Sequence, residues 1–283
     1  MICLENPILR VSILHPDDDR RLLGPRYCTG GYIYQIEHAR HGPLLSGPEF
    51  PSPSPDVING QGAPDVFQNT LFEKSDEIPS HKLIIGVGLV ENSMRLKQAD
   101  SHFQAKVETA CKWNIRHDSS SFTAATSQEY GEYMLSLTRS VQLREHEVLS
   151  STFIQNRSAL RPLPVRMFAH PFFPLPASAR FHSPVRIPPH PGFHNDENGS
   201  VRMRDDVEWN TGHFLDAEGF EGHPLSATIT HPSAGEMRVT TDFPLFRLAF
   251  WANDRTFSVE PFHSLVLPPG GSAQWQIVYS VPA

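Results

Sequence analysis

The sequence has no run of about 18 apolar residues, the length a helix needs to cross a bilayer. Met1 to Leu14 alternates polar and apolar residues, with no basic stretch leading into an apolar one. These absences set the expectation of a cytoplasmic protein that engages no membrane. Cysteine is scarce. Cys3, Cys28 and Cys111 are odd in number and far apart, so neither a disulfide framework nor a metal or redox spacing is present. Positive charge is also short. With 24 Lys and Arg against 31 Asp and Glu, the net charge is −7, and the basic residues are scattered. That balance excludes the footprint of a nucleic-acid binder.

Helical periodicity is weak throughout, with a short helical turn over Ala63–Phe72 as its best candidate. The 26 prolines are spread along the chain, and proline is excluded from helix interiors. Glycine-rich nucleotide fingerprints are missing as well. Gly30-Gly31 lacks the later glycine and the helix that such a loop requires. Gly86-Val87-Gly88 reads as a bulge in an apolar strand. Linker composition and internal repeats are absent, so residues 1–283 are read as one domain.

What the chain does have is strand pattern. From Tyr133 to Leu143 the odd positions read Tyr, Leu, Leu, Arg, Val, Leu, and the even ones are mostly Ser, Thr and Gln. This two-residue period buries one face. After Arg144–Glu147, Val148–Ile154 returns as the partner of an antiparallel hairpin. Further strands are expected near 7–14, 29–37, 82–90, 103–117, 121–127, 165–170, 225–230, 236–241, 245–251, 257–266 and 273–281. The fold class is therefore all-β. Two stretches read as loops: Pro48–Pro55, with the extended path of Pro-x-Pro-x-Pro, and Pro162–Pro191, with nine prolines.

Two fragments could carry chemistry. In Phe257-Ser258-Val259-Glu260-Pro261-Phe262, Glu260 follows an apolar strand and precedes a proline, which reads as a strand end where ladder pairing stops. A partly desolvated carboxylate there has the raised pKa of a general base; the other reading is a surface glutamate. In Phe168-Ala169-His170-Pro171-Phe172-Phe173, a histidine sits between aromatics and a proline. It can act as an acid near neutral pH; the other reading is a structural histidine bonded to backbone. Three aromatics, Trp251, Phe172 and Trp209, could face a sugar ring, or serve as core.

The phrase at 168–173 resembles the Asn-His-x-Tyr-Phe segment of aldose 1-epimerases. Val259-Glu260-Pro261, followed by Leu267-Pro268-Pro269-Gly270, resembles the closing segment of that family. Gly24-Pro25-Arg26-Tyr27, Gly60–Phe67 and Leu83–Gly88 are similar to a bacterial branch of the same superfamily. The resemblance implies a galactose mutarotase-like β-supersandwich of antiparallel sheets. It also implies an isomerase that interconverts the α and β anomers of a hexose without cofactor or metal, with Glu260 as base and His170 as acid.

Where the family has an Asn-x-x-His-Gly-Gly phrase, this chain has Asn69-Thr70-Leu71-Phe72, and His81 is the nearest substitute for that histidine. Arg26 stands in for a sugar-contacting arginine. Gly219-Phe220-Glu221 replaces a Gly-Phe-Asp phrase. The implied partner is a monosaccharide, free or phosphorylated, bound by a monomer or weak homodimer. Two alternatives remain: a non-catalytic carbohydrate-binding protein, and a hexose-phosphate mutarotase using arginines 26, 139, 166, 180 and 186. The nearby His182, His190, His194, Asp196 and Glu197 match no standard metal spacing, so no metal is expected.

Overall fold

The computed structural model describes residues 1–49, 59–68, 70–71, 81–91, 106–182, 185–220 and 222–282. The expected hairpin shows how alternation becomes structure. Along Tyr133–Arg144, Leu135, Leu137, Arg139, Val141 and Leu143 are buried and their neighbours are not. This strand pairs antiparallel with Glu147–Asn156, and Arg144 faces Glu147 across a two-residue turn. Glu145, at φ 42°, adopts the left-handed conformation that such turns demand and that Asn-Gly usually supplies.

The hairpin is part of a ten-stranded antiparallel sheet. Its strands run in the order 114–117, 121–130, 133–144, 147–156, 272–280, 235–244, 224–231, 178–181, 201–203 and 193–195. A second sheet has the order 213–216, 247–252, 256–267, 163–169 and 65–67, and the 172–174 strand also pairs with 256–267. Two four-stranded sheets complete the fold, one within residues 2–43 and one within residues 70–110. The core holds the inward residues of the two large sheets. Val165, Met167, Leu248, Phe250, Phe257 and Val259 lie on one side, and Leu135, Leu137, Met237, Val239, Trp275 and Ile277 on the other. Phe67 meets Trp275 across the layer, with ring centroids 6.5 Å apart.

Several expectations are corrected. Residues 63–72 form no helical turn: Asp65–Phe67 and Thr70–Leu71 are strands, and residues 69 and 72 lie outside the described residues. Val66 and Phe67 are both buried, on opposite faces of the second sheet, so sheet pairing overrides the local pattern. Residues 82–90 are two strands, His81–Ile84 and Gly88–Glu91, and Gly86-Val87 belongs to the turn between them rather than to a bulge. Gly86 has φ 74°, and an added Cβ would lie 2.4 Å from Cys28 Sγ. The 103–117 region also divides. Residues 103–105 lie outside the described residues, and Val107–Ala110 and Asn114–His117 belong to different sheets. Between them Trp113 turns inward and its indole N–H donates to Thr29 Oγ1.

The proline-rich stretch 162–191 is no single loop, because Leu163–Ala169, Phe172–Pro174 and Ser178–Phe181 are strands. Residues 50–55 of the other proposed loop lie outside the described residues. Among the described residues no helix is long and apolar enough to cross a membrane.

Candidate functional site

Glu260 does not end a strand. It lies in the middle of Thr256–Leu267, opposite Ala249 of the neighbouring Arg247–Ala252 strand. The expected halt in pairing occurs on the other side only. There the ladder with 163–169 stops at Phe168 opposite Phe262 and resumes with Phe172 opposite Ser258. Pro171 and Pro261, which have no N–H to give, both fall in that break. The register is unchanged across it, so His170 occupies the position facing Glu260. Its backbone N–H donates instead to the Pro64 carbonyl at the start of the outer strand.

Side chains alternate across a sheet, so the register lays out the face that carries Glu260. Phe262 lies between Phe168 and Arg247, with Val66 beyond Phe168. Next come His170, Glu260, Ala249 and Asp216. The third row is Phe172, Ser258, Trp251 and Phe214. Both faces of residues 256–262 are buried, which is why the sequence there shows no clean alternation. The N-terminal segment supplies the cover. Leu14, Tyr27 and Tyr32 cluster with Val66, Phe168, Ala249 and Phe262, joined by the partly buried Leu22, Leu23 and Tyr34.

Under this cover His170 Nε2 lies 3.4 Å from Glu260 Oε1, and each residue is 3% exposed. His170 Nδ1 is 2.9 Å from the hydroxyl of Ser258. The imidazole stacks on Phe172, with centroids 4.2 Å apart, and Trp251 stands edge-on at 6.0 Å. Burial dominates both titrations. It pushes the Glu260 carboxyl up to about 8, against the opposing pull of Arg26 and Arg247. It holds His170 well below the usual imidazole range, and the positive charge of Arg26 adds to that. The carboxyl's shift brings it near the pH at which proton transfer is most effective, whereas the imidazole's shift keeps the ring neutral there.

Of the residues singled out in the sequence, Glu260, His170, Phe172, Trp251 and Arg26 are brought together. Arg26 sits in the cover, its guanidinium 5.1 Å from the Tyr27 ring centre, and its charge acts on both members of the pair. His81 is elsewhere: its Nε2 is 2.9 Å from Glu108 Oε2 and its carbonyl accepts from the Tyr130 hydroxyl, within the 70–110 sheet. Glu221 lies outside the described residues. Trp209 is edge-on to Phe193 and His213, away from the pair.

The arginines do not converge. Arg139 is buried against Asp65, while Arg180 and Arg186 pair at the surface with Glu236 and Glu218. His182 faces Thr228 Oγ1, and His190 Nε2 contacts the Phe214 carbonyl. No group of three or more His, Cys, Asp or Glu that could hold a metal occurs among the described residues.

Sequence reasoning missed Asp216 and Arg247. Arg247 donates to both carboxylate oxygens of Asp216, and its guanidinium lies 5.0 Å from the Phe214 ring centre and 4.8 Å from that of Phe262. Arg247 shares the strand parity of Ala249 and Trp251, but nothing local in the sequence pairs it with Asp216. Ser258 was visible, two residues before Glu260.

No protein-family model matches the chain, and no curated protein sequence does. Solved structures do. The chain aligns over its full length with 97% of a galactose mutarotase related enzyme from Lactobacillus acidophilus, at TM-score 0.62 and 14% identity. It also aligns over its full length with all of a galactose mutarotase-like protein from Lactobacillus casei ATCC 334, at TM-score 0.60 and 14% identity. Likeness at these identities is likeness of fold, and it agrees with the sheet orders above: the chain is an antiparallel β-sandwich of the galactose mutarotase-like fold.

Proposed function

We propose that the protein is an aldose 1-epimerase-like isomerase, which opens the ring of an aldose and recloses it on the other face. The observation that carries this reading is the buried contact between His170 Nε2 and Glu260 Oε1 on adjacent strands of a galactose mutarotase-like sheet. Ring opening removes the proton of the anomeric hydroxyl and places one on the ring oxygen. Both oxygens are bonded to a single carbon. Two groups in contact with each other can therefore serve both positions at once and need not flank the sugar. A carboxyl pushed up to about 8 gives and takes protons readily near neutral pH.

The rest of the face suits a sugar. Ala249 is the small residue between the buried pair and the Asp216–Arg247 pair, whose polar atoms can receive ring hydroxyls. Trp251 offers an aromatic surface on the adjoining row. The cover that holds Arg26 and Tyr27 keeps water from the reacting atoms. It must shift for a sugar to reach a pair only 3% exposed.

A binding protein on the same scaffold is the second reading, favoured by the position of His81 away from the pair. Polarimetry with a panel of free and phosphorylated aldoses, run beside calorimetric titration of the same sugars, separates the two. Faster anomer equilibration of at least one free aldose is the expected outcome. Saturable binding without acceleration of any sugar would establish the binding reading instead.

A further inference from the structure

We infer that the protein carries a second, separate carbohydrate pocket, built around Trp209 and suited to a neutral saccharide. A cavity of about 430 Å³ lies there, lined by Trp209, His194, Arg204, Asp205, Leu175 and Met203 among others. It shares no lining residue with the face that carries Glu260. Its size falls within the range of about 300–1,000 Å³ usual for small-molecule sites. The inference does not rest on the proposed isomerase activity.

The walls come from one edge of the ten-stranded sheet, where His194 faces Arg202 and Phe193 faces Met203. Beyond Met203 the chain is tied back. The Arg204 N–H donates to the Gly192 carbonyl, and the Trp209 indole N–H donates to the Arg204 carbonyl. The Trp209 carbonyl accepts from the N–H of Asp254. Gly192 lets the indole lie close, since an added Cβ would sit 2.9 Å from its Cη2. Phe193 and His213 flank the ring at centroid distances of 5.3 and 4.7 Å. The indole is thus fixed at its N–H and at the tip of its benzene ring, yet it stays partly exposed. A ligand that packs on it has no side chain to immobilise there.

The polar groups around the ring are left without partners. Arg180, Arg186, Arg202 and Arg247 each pair with a carboxylate. Among the described residues, the exposed side chains of Arg204 and Asp205 have neither an ion pair nor a hydrogen bond. His194 Nδ1 is buried and likewise has no hydrogen-bond partner. A buried polar atom left unpaired is costly, and a ligand hydroxyl that reaches it supplies the missing partner.

These groups select the class of ligand. An apolar molecule would leave Arg204, Asp205 and His194 unserved. An anion would meet the Asp205 carboxylate beside Arg204, and Arg202 is already held by Asp196. A neutral saccharide suits both signs of charge. The C–H face of its ring packs on an aromatic side chain, and each of its hydroxyls both donates and accepts. Trp209 is one of the three aromatics that the sequence offers to a sugar ring, and it lies away from the buried pair.

The pocket adjoins the Glu260 site without merging with it. Leu175 follows directly on the Phe172–Pro174 strand. Gly212, three residues past Trp209, lies against Trp251, where an added Cβ would be 2.4 Å from Cζ2. Binding in one place must therefore be told from binding in the other, and the two tryptophans report on them separately.

The test is proton–nitrogen NMR of the nitrogen-15-labelled protein, in which the four tryptophans give four indole N–H signals. Those of Trp209 and Trp251 are assigned by their loss in Trp209→Phe and Trp251→Phe. Glucose, galactose, mannose, maltose, cellobiose and lactose are each titrated into the millimolar range, with inorganic phosphate as the anion control. The expected result is a saturable shift of the Trp209 signal with at least one sugar, at a Kd distinct from that of any Trp251 shift. In an Arg204→Ala/Asp205→Ala double variant that Kd should weaken by about tenfold or more, as loss of hydrogen bonds to charged groups predicts. Both side chains are exposed, so the fold and any mutarotation should be unchanged in that variant. No Trp209 shift with any of these sugars, a shift with phosphate alone, or an unaltered Kd in the double variant would overturn the proposal. So would Trp209 and Trp251 moving with one shared Kd, the mark of binding at the buried pair. None of these readings needs turnover, so failure of the protein to speed mutarotation is read separately.

Discussion

Glu260 is costly to the folded protein for the same reason that it suits proton transfer. Its carboxyl rises from the ordinary range to about 8 on burial. A group whose pKa is raised by folding contributes fully below its unfolded pKa, and that contribution is lost as pH climbs through the folded value. Folding stability should therefore decline between about pH 4.5 and pH 8, by an amount on the order of a few kcal/mol from this one residue. Glu260→Gln removes the titration and keeps the shape. Thermal unfolding of the two proteins at pH 5 and pH 9 checks this: the variant should gain relative to wild type at pH 9 but not at pH 5. Equal differences at the two pH values would mean that the carboxyl is not the buried group described. His170 acts in the other sense. Its depressed pKa makes stability fall as pH drops below the ordinary imidazole range.

Strands place these residues, and one of the short strands has a large part in it. Asp65–Phe67 has three residues. Through Pro64 it receives the N–H of His170, and through Asp65 it receives that of Cys28 in the cover. Its anchor is the buried ion pair of Asp65 with Arg139, whose guanidinium also reaches Thr152 and Ser150 of the ten-stranded sheet. Removing one partner of such a pair leaves a buried charge uncompensated, at about 3–5 kcal/mol. Asp65→Asn should lower stability by that order in denaturant titration. A loss under about 1 kcal/mol would show that the strand is held by other contacts.

Arg139 also shows how far the sequence could be read. Its place in the buried parity of 133–143 was plain, but its partner lies 74 positions away, and local pattern carries no such pairing. The hairpin and the long strands were legible because their period is local, whereas the phrases around His170 and Glu260 were picked out by their resemblance to a family and show no period of their own. The 65–67 strand was read as a helical turn because three residues hold too little period to judge. Asp216 and Arg247 stayed hidden because only the register of 213–216 on 247–252 brings them together.

At the scale of the molecule, two large sheets enclose the apolar core, and a third structural layer, the N-terminal segment with Tyr27 and Tyr32, closes the outer face of the smaller one. Tyr27 and Tyr32 are tied by hydrogen bonds to the 59–61 segment, so the cover is fastened at more than one place. This enclosure makes a carboxyl and an imidazole, unremarkable in water, into a coupled pair. The function proposed for that pair is turnover of a sugar. Magnetisation transfer between α and β anomer signals of a free aldose measures it directly, for wild type and for Glu260→Gln at equal concentration. Wild type should raise the exchange rate well above the buffer rate, and the folded variant should lose at least a hundredfold of that enhancement. Undiminished exchange in Glu260→Gln would contradict it.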